Sequence, residues 1–213
     1  MITVHERKQQ DRKARRRRIQ EAARQVFVEK GYAKTSIEQV ARRATLSVGA
    51  IYLYFRSKED LYVSLLEPTF EAFERDLASA GAQDGLDAVW SHLLSWAADD
   101  VEGTRMLRLT AQPGIRKQLS DDVASAVASG ITVVRAHISA QVRRGVDDGR
   151  YRPVDADLTA DVLWSIFLGT LQMLDTRANL DLPTTDFVEL ARGALATFEN
   201  GLRATVARVK EAA

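Results

Sequence analysis

One stretch in the first third of the chain brings together hydroxyl groups, small side chains and positive charge at helical spacing. Hydroxyl groups, lysine and the free amides of helix N-termini are the groups that hold phosphate oxygens in proteins. The side chains of this kind are Thr35, Ser36, Ser47, Tyr52, Tyr54 and Lys58. The stretch is therefore suited to contact a phosphate backbone.

The residues between these groups are small, which suits a helix that approaches DNA closely. Val48, Gly49 and Ala50 follow Ser47 directly, and a helix of ordinary width fits the major groove of duplex DNA. Valine and alanine can touch a thymine methyl group but cannot form a bidentate hydrogen bond with a base. Sequence preference is therefore expected to depend on Arg42 or Arg43, on Tyr52 and on DNA shape.

Charge is distributed unevenly along the chain. The net charge is +1, but residues 1–60 hold 15 basic and 7 acidic residues, so they carry +8 and the remaining residues carry −7. A basic third on an acidic body indicates a polyanion partner for the first part. Within the arginine run 15–18, Arg16 is predicted to reach DNA, although such a run by itself is more often a solvated helix face.

Helix start and stop signals place this stretch on short helices. Ser36 with Gln39 has capping-box spacing and predicts a helix over residues 37–44. Ser47 predicts a second helix over 48–54, and a longer one is expected from Lys58 to residue 80. A first helix is predicted over 12–30, while residues 1–11 lack periodicity and are expected to be disordered. Two short helices joined by a three-residue turn form a helix-turn-helix.

The rest of the chain also repeats apolar residues at helical spacing. Helices are predicted over residues 84–100, 105–110, 120–144, 155–177 and 186–206, with residues 184–186 as the cap of the last one. The fold class is therefore all-α. The chain has no cysteine, which removes thiolate chemistry and fits the cytoplasm. No stretch approaches the roughly 20 apolar residues that a membrane span needs, so membrane contact is not expected.

The N-terminal residues resemble the TetR-type transcriptional regulators. The segments that carry the resemblance are 30–32 (KGY), 35–37 (TSI), 40–44 (VARRA), 47–55 (SVGAIYLYF) and 58–61 (KEDL). The family often has glycine where this chain has Thr45 and threonine where it has Ala50. The resemblance implies a DNA-binding domain over residues 1–60 and a helical domain over 61–213. It also implies that the second domain binds a small molecule and forms a homodimer through its last two helices.

Apolar and aromatic side chains of the second domain form the predicted effector pocket. These residues are Trp90, Leu93, Trp96, Met106, Val134, Trp164 and Phe167. A packed core is the alternative, because aromatic stripes at helical spacing are more often core than cavity. The lining favours a hydrophobic effector, and Arg105, Arg108 and Arg135 could meet an acidic head group.

The resulting expectation is a repressor that a small, hydrophobic effector releases from a palindromic operator. An architectural DNA-binding protein without an inducer is the alternative. Catalysis is not expected, because the sequence has no glycine-rich phosphate loop, no GxSxG motif and no carboxylate pair tied to a base. His92 and His137 show no metal-binding spacing, so neither a metal nor a cofactor is predicted.

Overall fold

The computed structural model describes residues 3–79, 85–183 and 186–203. These residues form ten α-helices and one 3-10 turn, Ile115–Lys117, and the described β-structure is one isolated bridge between Tyr151 and Arg203. The helices are α1 (Val4–Lys34), α2 (Ile37–Ala44), α3 (Val48–Tyr52), α4 (Lys58–Ser64), α5 (Leu66–Ser79), α6 (Gly85–Asp99), α7 (Val101–Leu109), α8 (Asp121–Asp147), α9 (Ala156–Asn179) and α10 (Phe187–Leu202). The predicted all-α fold class is confirmed.

The first helix begins much earlier than its apolar periodicity indicates. Residues 3–11 were expected to be disordered, but α1 starts at Val4 because Thr3 and Glu6 form a capping box. The Thr3 amide donates to the Glu6 carboxylate at 2.7 Å, and the Glu6 amide donates to the Thr3 hydroxyl oxygen at 3.2 Å. Gly31 leaves helical geometry with φ 73° directly after the predicted end at residue 30, and glycine adopts this left-handed conformation readily.

Both helices of the helix-turn-helix begin where their N-caps predict. Ser36 and Ser47 cap α2 and α3, and Thr45 makes the turn between them in the left-handed conformation, φ 57°. The α3 helix ends at Tyr52, two residues before the predicted end. The amides of Tyr54 and Phe55 both donate to the Ile51 carbonyl, at 2.9 and 3.1 Å, and Phe55 is buried. The chain therefore turns inward after Tyr52.

The helix predicted over residues 58–80 is divided at Leu65 into α4 and α5. The cause is Pro68, which has no amide hydrogen for the Ser64 carbonyl four residues earlier. The side-chain amide of Gln20 on α1 donates to that carbonyl at 2.9 Å, and the Arg24 guanidinium donates to the Leu65 carbonyl at 2.8 Å. Side chains of α1 thus satisfy the backbone at this break.

The described residues divide into two compact units. Residues 3–71 pack with residues 101–130, while residues 72–79 and 85–100 pack with 131–183 and 186–203. The core of the first unit includes Phe27, Ile51 and Leu61, and that of the second includes Trp90 and Phe167. The predicted functional boundary between residues 60 and 61 stays a prediction.

The later helices follow the expected order with shifted ends. Asp155 caps α9, and Asp186 caps α10 by accepting from the Glu189 amide at 2.8 Å. Thr184, Thr185 and the predicted continuations to residues 80 and 206 lie outside the described residues. Among those described, α8 is long and apolar enough by length and composition to cross a membrane, although no such stretch was expected. A third of its most apolar stretch is buried, and helices packed in protein cores meet the same criterion.

Candidate nucleic-acid interface

The tip of α3 presents small and aromatic side chains on the surface. Gly49 is exposed, Val48 and Ala50 are half-buried, and Ile51 is fully buried and anchors the helix. Tyr52 retains 53% of its exposed surface. The residues predicted to face the groove therefore lie on the accessible side of a helix whose other side is fixed by packing.

Leu53 belongs to the same surface and was missed by the sequence argument. It is 75% exposed directly after α3. An isolated leucine carries no chemical signal in a sequence, and only its position in the fold marks it. Its apolar side chain can contact a thymine methyl group or a deoxyribose ring.

The predicted phosphate hydroxyls divide into surface and buried groups. Ser36 and Ser47 cap their helices by accepting from the amides of Gln39 and Ala50, at 3.4 and 3.1 Å. Thr35 corrects the prediction, because it is 3% exposed and its hydroxyl donates to the Gly31 carbonyl at 2.8 Å. Its hydroxyl closes the end of α1, so it is removed from the interface.

Two other predicted phosphate contacts, Lys58 and Tyr54, each take part in a contact between a cation and an aromatic ring. The Lys58 ammonium lies 4.2 Å from the ring centroid of Tyr32, and Tyr32 donates to the Glu59 carboxylate. Burial and this hydrogen bond raise the pKa of Tyr32 above its usual range. On the other side, the Arg12 guanidinium lies 6.0 Å from the ring centroid of Tyr54, which is half-buried.

The arginines predicted to contact DNA differ in their availability. Arg43 forms two hydrogen bonds with Glu29, at 2.9 and 2.7 Å, which raises its pKa further. Arg42 is exposed and forms no ion pair with the described residues. Of the two alternatives for base contact, Arg42 is therefore the one whose guanidinium is not already engaged.

Arg16 also departs from the prediction that it reaches DNA. Its guanidinium forms two hydrogen bonds with Glu67, one of them at 2.7 Å, and lies 5.1 Å from the ring centroid of Phe55. Its side chain is 24% exposed, and the hydrogen bond to Glu67 raises its pKa. Arg16 joins α1 to the start of α5 instead.

A buried carboxylate that the sequence argument did not single out fixes the start of α4. Asp60 is fully buried and accepts from the Arg56 amide at 2.7 Å and from the amide and hydroxyl of Ser120, both at 2.9 Å. The Ser57 hydroxyl donates to the Gln118 carbonyl at 3.0 Å. These bonds hold the helix end that carries Lys58 against the segment before α8.

The second unit contains six of the seven residues of the predicted pocket, and all but Trp96 are buried. The ring centroid of Phe167 lies 6.0, 6.4 and 5.6 Å from those of Trp90, Trp96 and Trp164. The Trp90 indole donates to the Ala191 carbonyl at 3.0 Å, whereas the buried indole nitrogen of Trp96 has no hydrogen-bond partner among the residues that the structure describes. Met106 is buried in the first unit, and its place in the effector pocket stays a prediction.

An apolar groove lies between the start of α9 and the end of α10, with a volume of about 640 Å³. Leu158 and Val162 on α9 line it and are 62% and 39% exposed, and Phe198 lines it from α10. Exposed apolar side chains clustered on long helices are typical of an interface.

Comparison with known proteins agrees with this geometry. Residues 19–65 match the model of the bacterial regulatory proteins of the tetR family. The chain is 26% identical over 145 residues to the uncharacterized HTH-type transcriptional regulator YfiR of Bacillus subtilis, covering 66% of this chain and 69% of YfiR. It is 35% identical over 101 residues to the HTH-type transcriptional repressor Rv1474c of Mycobacterium tuberculosis, covering 45% of this chain and 52% of that protein.

Solved structures show the same fold over most of the chain. The transcriptional regulator FadR from Bacillus subtilis in complex with stearoyl-CoA superposes with a TM-score of 0.62 at 22% identity, covering 87% of this chain and 98% of FadR. The capped helix-turn-helix, the matched family model and the regulators among its relatives agree with each other. Residues 19–65 are therefore similar to the bacterial regulatory proteins of the tetR family, and most of the chain shares the fold of a solved transcriptional regulator.

Proposed function

We propose that this chain is a cytoplasmic, homodimeric repressor that a small hydrophobic effector releases from a palindromic operator. The observation that carries the DNA-binding part is the accessible tip of α3, held by buried Ile51 and by the Ser47 cap. The proposed contacts, after the corrections above, are Ser36, Arg42, Ser47, Val48, Gly49, Ala50, Tyr52, Tyr54 and Lys58. The direct test is selection of bound sequences from a pool of random duplexes, which should yield a palindrome with two half-sites.

Lys58 provides the test of backbone contact. Each phosphate contact contributes about 0.9 to the slope of log affinity against log salt. Because a homodimer carries two copies of Lys58, Lys58→Ala should weaken binding to all duplexes and reduce that slope by about two. Titrations by fluorescence anisotropy at several KCl concentrations measure both. An unchanged slope would contradict the phosphate contact.

Arg42 and Arg43 form a matched pair for base recognition. Arg42→Gln should lose preference at one operator position, because a bidentate arginine contact contributes about 1–3 kcal/mol of discrimination. Arg43→Gln should retain that preference, since Glu29 already engages its guanidinium. The reverse result would assign the base contact to Arg43.

The groove between α9 and α10 supports the proposed homodimer. Covering its apolar side chains with a second copy would bury Leu158 and Val162, which are otherwise exposed. Light scattering should give twice the chain mass of 23.7 kDa, and Leu158→Lys with Val162→Lys should give the single mass. A dimer that persists in this variant would place the interface elsewhere.

The aromatic cluster of the second unit supports a hydrophobic effector. FadR binds stearoyl-CoA in the complex described above, and the unpartnered Trp96 indole nitrogen offers a hydrogen-bond donor beside Phe167. A thermal-shift assay with stearoyl-CoA should raise Tm and weaken DNA binding. Trp96→Phe should reduce the shift. If stearoyl-CoA has no effect, mass spectrometry of the native protein would show which other ligand copurifies.

The alternative of an architectural protein without an inducer is not favoured. One relative is a repressor and one structural neighbour holds an acyl-CoA, and both properties fit a regulator that responds to a ligand. The relatives that match are transcriptional regulators rather than enzymes.

A further inference from the structure

A groove lined by charged residues lies within the first unit, along the part of α1 that precedes the matched residues 19–65. It encloses about 430 Å³. Arg12, Lys13, Arg16 and Tyr54 line it together with Glu67 and Asp122. The groove thus brings an aromatic residue of the proposed DNA interface next to residues that the family model does not include.

Not all charged side chains of this groove form ion pairs within the protein. Arg16 and Glu67 neutralise each other through their paired hydrogen bonds. Arg12 contacts the Tyr54 ring, and neither Arg12 nor Lys13 forms an ion pair with any described residue. Asp122 likewise has no basic partner within 4 Å in the described part of the chain. Two cations that form no ion pair with the described residues, Arg12 and Lys13, therefore face the groove together with Asp122.

The position of these cations is fixed by the early start of α1. Because Thr3 caps the helix, Arg12 and Lys13 lie well inside a regular helix rather than on a flexible arm. Arg12 is seven residues before Ile19, the start of the family match, which corresponds to about 10 Å along the helix axis. The groove therefore adjoins Tyr54 but extends beyond the helix-turn-helix.

We propose that this groove holds a DNA backbone phosphate outside the base pairs that α3 reads. Arg12 and Lys13 supply the attraction, and the negative charge of Asp122 in the same groove opposes it, so the groove sets affinity without setting sequence preference. The inference rests on the proposed DNA-binding function. It assigns phosphate contacts to α1 and a negative charge that repels the phosphate to the first turn of α8.

Removal of the two cations and removal of the Asp122 carboxylate should change the affinity for DNA in opposite directions. Arg12→Gln with Lys13→Gln removes one phosphate contact from each subunit of the dimer, so the affinity ratio of wild type to variant should fall about twelvefold as KCl rises from roughly 50 to 200 mM. Asp122→Asn removes one unit of repulsion from each of the two solvated grooves and should strengthen binding about tenfold at the lower salt concentration. Damage to the fold would weaken binding in both variants.

The experiment measures anisotropy of a labelled duplex of random sequence, about 30 base pairs long, which covers two half-sites. Arg192→Gln and Asp87→Asn are the controls, because both residues are exposed in the second unit. Asp87→Asn makes the same charge change as Asp122→Asn, and Arg192→Gln removes one of the two charges that the Arg12 and Lys13 variant removes. Their effects should be small. Circular dichroism melting of each variant verifies that it is folded.

The outcomes separate this inference from the function on which it rests. Opposite shifts in the groove variants, with little change in the controls, support it. Equal shifts in groove and control variants would attribute the effect to net charge and overturn it. Loss of affinity in Lys58→Ala but not in the Arg12 and Lys13 variant would overturn the groove while leaving DNA binding intact. No binding by the wild-type protein would refute the proposed function itself.

Discussion

The hydrogen bonds of buried Asp60 predict a large and non-additive loss of stability on mutation. In Asp60→Asn, an amide NH₂ group replaces one carboxylate oxygen. In either orientation of the amide, an oxygen that accepts from the Arg56 amide or from Ser120 is lost. Losing a charge-assisted hydrogen bond and burying an unpaired donor costs about 3 kcal/mol. Ser120→Ala removes one hydrogen bond to the same carboxylate and should cost about 1.5–2 kcal/mol.

A double-mutant cycle measures this interaction directly. Urea unfolding followed by circular dichroism gives the free energy of unfolding, at fixed protein concentration because a dimer's stability depends on it. The double variant should be about 1 kcal/mol more stable than the sum of the single effects implies. Asp87→Asn and Ser125→Ala, at exposed positions, should cost roughly 0.5 kcal/mol or less. An Asp60→Asn cost under about 1 kcal/mol, or additive effects, would refute the assigned role of the carboxylate.

Three further predictions follow from backbone conformation and burial. Thr45→Gly should raise the free energy of unfolding by about 0.5–1 kcal/mol, because a β-branched residue is strained at φ 57°; a lower urea midpoint would contradict it. Gly145→Ala should lower it by about 1–3 kcal/mol, since the added methyl group overlaps the ring of Tyr151, and an unchanged midpoint would count against this packing. Burial and hydrogen bonds to carboxylates raise the pKa of Tyr32, Tyr62 and Tyr151 above the usual range. Absorbance at alkaline pH should therefore show that these three tyrosines stay protonated while the chain remains folded. Ionisation of all five tyrosines near pH 10 in the folded chain would refute this prediction.

The local part of the interface could be predicted because its signals are close together in sequence. A capping box specifies the bounds of α2, and the Ser47 cap specifies where α3 begins. The same rule applied to Thr3 and Glu6 predicts the start of α1, whereas the absence of apolar periodicity in these residues predicts disorder. A helix of mostly charged residues lacks that periodicity because little of it is buried.

The partners of the charged residues could not be predicted, because they lie far apart in sequence. Arg16 is 51 residues from Glu67, and Arg43 is 14 residues from Glu29. Whether an arginine faces DNA or a carboxylate of its own chain depends on tertiary packing, which a run of basic residues does not encode. The burial of Asp60 likewise depends on a segment 60 residues away.

The break between α4 and α5 has a consequence for how these sequences diverge. Pro68 leaves the Ser64 carbonyl without an intrahelical donor, and Gln20 supplies one from another helix. A related chain with alanine at the proline position would recover the intrahelical bond and would no longer select for glutamine at position 20. These two positions are therefore expected to covary across related sequences, and an alignment in which they change independently would argue against the coupling.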